Sequence, residues 1–314
     1  MKNSTIAVTS RTFSKTPELR QIAESSFGKV KFNEKGESLK GDRLVEFLED
    51  CEGAIIALEP FTSGILSRLP KLKYLSKYGV GLNNIDQSAL KALNKEVLYT
   101  KGTNKRSVAE LTLSFMIGIL RNVFDSIDQM SKNTWQNKGG VNLSEKTVGI
   151  IGFGNVGQDL AKILRVFDCR LLINDIVDVS EHIGPKDSLV SKKQIYQNSD
   201  IISVHTPLNE GTAAMITNRE LALMKKSAVL INTARGGIID EDHLYLALKE
   251  KRIFAAASDV FRVEPPKFPE LFELPNFYGT PHIGGSSAES ILSMGKAAIT
   301  NLEKKLSTRR SNLC

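Results

Sequence analysis

Cysteine is scarce: Cys51, Cys169 and Cys314 lie far apart and form no CxxC pair. That spacing excludes a disulfide scaffold and a thiol redox motif, gives no basis for a metal site, and fits a reducing cytoplasm. Long apolar runs are missing as well. The most apolar stretch, LTLSFMIGIL at 111–120, covers about half a bilayer, so no membrane segment is expected. The opening MKNSTIAVTS lacks the apolar core of a secretory signal, which again points to the cytoplasm. No low-complexity linker or internal repeat is visible. With 23 Gly and 10 Pro the chain is neither collagen-like nor disordered.

What is present is an ordinary globular composition, 41% hydrophobic and 25% charged, over 314 residues, long enough for two domains. The net charge of +7 includes Lys304, Lys305, Arg309 and Arg310 near the end, where no acid in the sequence offsets them. So short a run reads as a solvated tail after a final helix rather than a nucleic-acid or membrane patch. The mild positive balance that remains suits an enzyme of anionic metabolites but does not argue for one.

Strand-like runs alternate with helical ones from the start: STIAVTS, KVKFN, GAIIAL, LKYLSK and EVLYT, with PELRQIAESS, DRLVEFLED and NIDQSALKALN between them. Such alternation predicts βαβ units and a parallel sheet covered on both faces. It stops near Lys101. Residues 105–132 then hold no Pro and are apolar nearly all round, which predicts a long helix buried between domains or in a dimer. A second alternation follows in TVGIIGFG, RLLIND, DIISVHT, SAVLINTA and FAAASDV. A last helix is expected at about 286–306, returning to the first unit.

The strongest local motif is Gly152-Phe153-Gly154-Asn155-Val156-Gly157, between the strand VGII and a helix with apolar spacing. The glycines permit a tight turn, close approach of a pyrophosphate and close helix packing, and the free N–H groups of the helix start face the phosphates. The next strand, RLLIND, ends in Asp175, an acid placed to accept from a ribose 2′-OH and to repel a 2′-phosphate, so NAD is expected rather than NADP. With four histidines, elimination is possible. His182 and His243 read as solvated. His205 ends the strand DIISVHT, where lining a cofactor, capping and packing are equally open readings. His282, in GTPHIGGSS, has little structural need for an imidazole. Arg235 in NTARGGIID and Glu264 in DVFRVEPP follow two further strands. Arg, Glu and His at successive strand ends beside a nucleotide site form a candidate catalytic cluster.

These motifs, with YGVGLNNID at 78–86 and SVAELTLSFMIGILRN, resemble the D-isomer-specific 2-hydroxyacid dehydrogenases, most of all the phosphoglycerate dehydrogenase branch. The resemblance implies two Rossmann-like α/β domains with parallel sheets. A flavodoxin-like substrate domain at 1–102 and 283–314 would be interrupted by an NAD-binding domain at 103–282. It implies that Arg235 binds the substrate α-carboxylate, that His282 exchanges the proton and that Glu264 pairs with it. Gly79, Val80 and Gly81, flanked by Tyr78 and Lys77, would grip the carboxylate. Besides the glycine motif, His205, Thr206, Pro207, Thr233, Ala234, Arg235, Asp259, His282 and Gly284 would line the cofactor.

The residue types suit the chemistry. An imidazole exchanges protons near neutrality, a carboxylate beside it stabilises the imidazolium, and a guanidinium fork holds a carboxylate in plane. The implied substrate is D-3-phosphoglycerate or 3-phosphohydroxypyruvate, with Lys77 as phosphate cation and Glu59 opposing it. The alternative is a hydroxypyruvate/glyoxylate-type or other D-2-hydroxyacid reductase. A reading from another class is an NAD-sensing corepressor-like binding protein. A homodimer is expected, and no nucleic-acid or membrane partner.

Overall fold

The computed structural model describes the backbone of residues 5–311 and the side chains of 5–308. It divides into two compact units, Met1–Asn104 with Gly285–Cys314, and Lys105–Gly284. The crossings fall two residues beyond the borders at 102 and 282 expected above.

In the first unit the chain runs β1 (Thr5–Val8), α1 (Arg11–Lys15), α2 (Pro17–Phe27), β2 (Lys29–Phe32), α3 (Asp42–Leu48), β3 (Gly53–Ile56), α4 (Ser63–Ser67), β4 (Tyr74–Lys77), α5 (Gln87–Ala92) and β5 (Glu96–Leu98). The strands form one parallel sheet in the order β2-β1-β3-β4-β5. Local chemistry sets the element ends. Pro17 opens α2, where its missing N–H costs nothing, and Gly28 at φ +79 stops it. Asp86 caps α5 by accepting from the Ala89 N–H at 2.9 Å. Alternate residues feed opposite faces of the sheet. Ala54 and Ile56 of β3 join Leu44, Leu48, Ile65 and Leu90, while Ile55 joins Leu19 and Ala23 on the other side. Each buried Leu or Ile contributes roughly 1.5–3 kcal/mol.

The second unit contains α6 (Lys105–Leu120), α7 (Val123–Ser131), β6 (Thr147–Ile151), α8 (Asn155–Val166), β7 (Arg170–Asn174), β8 (Ser188–Leu189), α9 (Lys192–Asn198), β9 (Ile201–Val204), α10 (Asn218–Leu221), β10 (Val229–Asn232), α11 (Glu241–Lys249), β11 (Ala255–Ser258), α12 (Pro269–Phe272) and β12 (Phe277–Gly279). A short 3₁₀ turn at Ser180–His182 leaves His182 exposed, as expected. The sheet is again parallel, in the order β12-β11-β10-β9-β6-β7-β8. Two apolar layers cover it. Met116 and Ile119 of α6 and Leu160 and Leu164 of α8 lie on one face, Ile195 and Leu244 on the other. The short edge strands β8 and β12 had no distinct signal in the sequence.

The helix expected over 105–132 is not continuous. Asn122 adopts a left-handed backbone (φ +52), and α6 and α7 meet at 69°. α6 is largely buried, whereas α7 has no buried residue. Asn122 tolerates that conformation, and its side chain donates to the Gly139 carbonyl at 2.5 Å. No single described helix is long and apolar enough to cross a membrane.

The chain ends in α13 (Ala288–Ser311), grouped with the first unit. Met294, Ala298 and Leu302 complete the layer beneath β1 and β3, and the buried Ser76 hydroxyl donates to the Ala298 carbonyl at 2.7 Å. The expected cationic tail is therefore helical through Ser311, and Lys305 is offset by Glu96 at 2.6 Å. The side chains of Arg309 and Arg310, and Cys314, lie outside the described residues.

Candidate active site

The glycine motif turns at the carboxyl end of β6. Gly152 has φ +91, and a Cβ there would lie 2.6 Å from the His205 carbonyl oxygen. A Cβ on Gly157 would lie 2.3 Å from the Gly152 carbonyl oxygen, so α8 reaches the strand only because both positions are glycine. Gly154 faces open space, with nothing within 4 Å of where its Cβ would be. As N-cap of the twelve-residue α8 it supplies no side-chain acceptor, so the N–H groups of Asn155, Val156 and Gly157 open a helix that no side chain caps.

Asp175 stands just past β7. Its Oδ2 accepts from the Phe153 N–H at 2.5 Å, and its Oδ1 accepts from the N–H groups of Ile176 and Val177 at 2.7 and 3.2 Å. The carboxylate thus ties the glycine turn to the end of β7, and Oδ2 retains a second acceptor direction. At the end of β9, the His205 Nε2 meets the Ser203 hydroxyl at 2.8 Å. Its Nδ1 is sealed from solvent without a partner, and burial pushes the imidazole down to about 4. The neighbouring Thr206 hydroxyl is also buried without a partner, while Pro207 is exposed.

The loop after β10 is braced internally. The Asn232 side chain accepts from the Ala234 N–H and donates to the Arg235 carbonyl, and the Thr233 hydroxyl meets that of Thr112 at 2.8 Å. A Cβ on Gly236 would strike the Phe261 backbone at 1.9 Å, which presses this loop against the one after β11. Arg235 is half-buried. Burial lowers its guanidinium's pKa, and the Glu264 charge works against that.

After β11, Asp259 is 1% exposed and turns its whole carboxylate onto the segment that carries His282. Oδ1 accepts from the Thr280 hydroxyl at 2.6 Å and the Ile283 N–H at 2.7 Å, and Oδ2 accepts from the Gly284 N–H at 2.8 Å. A Cβ on Gly284 would lie 2.9 Å from Oδ2, and the Ser107 hydroxyl donates to the Gly284 carbonyl at 2.6 Å. Asp259 and Gly284, both expected as cofactor lining, bond each other. Between these anchors His282 holds φ +56, an uncommon backbone for a side chain of its size. Its Nδ1 lies 2.8 Å from Glu264 Oε2, while Glu264 Oε1 accepts from the Phe261 N–H at 3.1 Å. Both side chains of the pair are more than a third exposed. His243, expected to be solvated, is half-buried beside its cap Asp240 at 3.2 Å.

The residues expected in the first unit behave differently. Tyr78 turns its ring into the core, edge-on to Phe13 at 5.8 Å, with a sealed hydroxyl that burial pushes up to about 12. Lys77 is 3% exposed; its ammonium donates to the Ala57 carbonyl and, at 2.7 Å, to Asn84 Oδ1. Glu59 accepts from the Ala57 N–H at 2.7 Å. The expected phosphate cation is thus engaged with loop 57–61 and Asn84, and its opposing acid with its own loop. Gly79, at φ +123, Val80 and Gly81 are half-buried in the turn that follows.

Residues 113–284 match the family model for the NAD-binding domain of D-isomer specific 2-hydroxyacid dehydrogenases. The chain belongs to that family. It is 33% identical to hydroxypyruvate reductase of Thermotoga maritima over 86% of this chain and 90% of that one. It is 35% identical to D-3-phosphoglycerate dehydrogenase of Methanocaldococcus jannaschii over 85% of this chain, but spans only about half (52%) of that longer protein. The crystal structure of a glyoxylate reductase from Paecilomyes thermophila superposes with TM-score 0.85 at 26% identity, covering 96% of this chain and 95% of that one. The chain is accordingly an NAD-dependent 2-hydroxyacid dehydrogenase. Its residues fit the dinucleotide: open space at Gly154, an uncapped α8, and unpartnered polar atoms on His205 and Thr206.

Sequence reasoning missed Ser107, Thr112 and Asn84. All three lie inside quoted motifs, SVAELT and GLNNID, but a hydroxyl or amide that braces a loop leaves no periodic trace.

Proposed function

We propose that this enzyme interconverts a small, unphosphorylated 2-oxo acid of the hydroxypyruvate or glyoxylate class and its 2-hydroxy acid. The observation that carries the reading is the His282–Glu264 pair at 2.8 Å. With Nδ1 committed to the carboxylate, Nε2 is the nitrogen left to face the substrate oxygen. Protonated, it donates to O2 during reduction; neutral, it accepts that proton during oxidation. Bound NADH supplies the hydride that C2 receives. Arg235 takes the substrate carboxylate in two parallel contacts and so fixes C2. In the first unit, taken by itself, the Gly79–Gly81 backbone is read as a carboxylate-binding turn. Gly152–Gly157 take the pyrophosphate on the start of α8, and His205, Thr206, Pro207, Thr233 and Ala234 border the cofactor. Asp175 accepts from the ribose and repels a 2′-phosphate, which favours NAD over NADP.

The engagement of Lys77 and Glu59 supports an unphosphorylated acid, because a phosphate of nearly two charges needs a cation besides Arg235. The 35% likeness to a D-3-phosphoglycerate dehydrogenase favours the second reading, 3-phosphohydroxypyruvate. The outer face of α7 and the arm after it expose Ile127, Met130 and Trp135 (85% exposed), which supports a homodimer through this arm. Cys51 and Cys169 are buried free thiols, consistent with a reducing cytoplasm.

Loss of NADH absorbance against a panel of acids tests the reading. Glyoxylate or hydroxypyruvate should be reduced with a higher kcat/KM than 3-phosphohydroxypyruvate. The opposite order selects the second reading, and no turnover with any acid of the panel overturns both.

A further inference from the structure

At the carboxyl ends of β3 and β4, a lysine and an amide close on the loop between β3 and α4. Lys77 lies opposite Ile56 in the sheet register, and the Tyr78 N–H donates to the Ile56 carbonyl at 2.8 Å. The Lys77 ammonium reaches across to the Ala57 carbonyl and to Asn84 Oδ1. Asn84 Nδ2 donates to the Ala57 carbonyl at 3.1 Å and the Glu59 carbonyl at 2.6 Å, while the Asn84 carbonyl accepts from the Phe61 N–H at 2.8 Å. Loop 57–61 and turn 78–85 are thereby joined through Lys77 and Asn84. The Lys77 stem runs beneath the turn, its Cε 3.8 Å from where a Cβ on Gly79 would stand.

A buried ammonium is a costly way to fill space. An apolar side chain of similar length would pack there without the loss of hydration. What the ammonium adds is direction and charge. Its fixed donors set the height of one loop against the other, and its stem lies against the Gly79 turn. We infer that Lys77 is a positioning residue, which through Asn84 holds the Gly79–Gly81 backbone in register to receive the substrate carboxylate. The inference rests on the carboxylate reading of that turn given under Proposed function. It differs from a phosphate contact in one measurable respect. A residue that shapes the carboxylate grip affects every 2-oxo acid alike, whereas one that touches the C3 substituent affects only acids that carry it.

The experiment compares Lys77→Met and Asn84→Ala with the unsubstituted enzyme, reading steady-state kinetics for glyoxylate and hydroxypyruvate, NADH affinity by fluorescence, and amide hydrogen exchange at 79–81. Both variants should raise the two KM values together by roughly tenfold, the weight of a hydrogen bond to a charged group, with kcat within about twofold and NADH affinity unchanged. The double variant should be no worse than the worse single one, because each removes the same lock. Exchange at 79–81 should quicken in both. A KM rise confined to hydroxypyruvate, additive effects, or unchanged exchange in a folded variant would overturn the inference. Asn84→Ala keeps the question answerable if Lys77→Met fails to fold. If the unsubstituted protein reduces neither acid but exchange still quickens, the substrate reading fails while the lock stands.

Discussion

At the carboxyl edge of the five-stranded sheet the charged and amide side chains answer one another, with only the core-facing Tyr78 hydroxyl among those described left over, and at the carboxyl edge of the seven-stranded sheet several groups are left open. Lys77, Asn84 and Glu59 find their partners in adjoining loops. The start of α8, the Thr206 hydroxyl and the His205 Nδ1 do not. Both sheets are parallel, covered on two faces and fed by the same βαβ alternation, so the fold alone does not separate them. The hydrophobic pattern builds either sheet equally well. What distinguishes them is polar satisfaction: an unpaired buried group is tolerated where a ligand completes it.

The sharpest way to break this contrast is to remove the group read as completing the chemistry. His282→Ala should lower turnover by roughly 10²–10⁴-fold, the range for a positioned acid–base group. NADH affinity should hold, since the glycine turn and α8 are untouched. Turnover near that of the unsubstituted enzyme would mean another group moves the proton. Glu264 would then be left pairing a histidine of purely structural use.

Much of this contrast was legible in the sequence on one side and little on the other. The glycine motif, Asp175 and the Arg235, Glu264 and His282 loops announce themselves because strand ends and glycines are local signals. Even the left-handed His282 follows Pro281 and stands two residues before Gly284, residues that mark irregular backbone. The fate of Lys77 was not legible. A lysine at a strand end next to a glycine turn reads as an exposed cation, and only the packing of loop 57–61 over it shows where the ammonium goes. The bracing by Asp259 was not legible either: an acid at the end of β11 does not announce that it accepts from Thr280, Ile283 and Gly284. The break at Asn122 was missed because the apolar pattern continues through it, while the turn depends on one backbone angle.

A smaller effect should sharpen the open side further. Asp175→Ala should narrow the preference for NADH over NADPH by about 10–100-fold, the weight of one charge-assisted hydrogen bond plus relieved repulsion. The same substitution frees the Phe153 N–H, so some affinity for both cofactors should be lost as well. The ratio of the two kcat/KM values isolates the ribose contact from that shared loss. An unsubstituted enzyme that uses both cofactors equally would overturn the assignment before any variant is made.

The smallest expected effect is one of stability and pH, and it too belongs to one side only, since the first unit contains no histidine. Burial pushes His205 down to about 4, against about 6.5 for a free imidazole. Between those values the unfolded chain binds a proton that the folded chain refuses. Stability is therefore full above about pH 6.5 and falls as the pH drops toward 4. At pH 5 the loss from this one group is on the order of 2 kcal/mol, a few degrees in Tm. In His205→Gln the side chain can still reach the Ser203 hydroxyl but cannot titrate. Its Tm should decline less steeply from pH 7 to pH 5 than that of the unsubstituted protein, even if it starts lower. Every other titrating group is common to the two proteins, so the difference in slope reports His205 alone. Parallel Tm curves would mean that the imidazole takes up its proton normally, and that its Nδ1 reaches water or a partner in the folded enzyme.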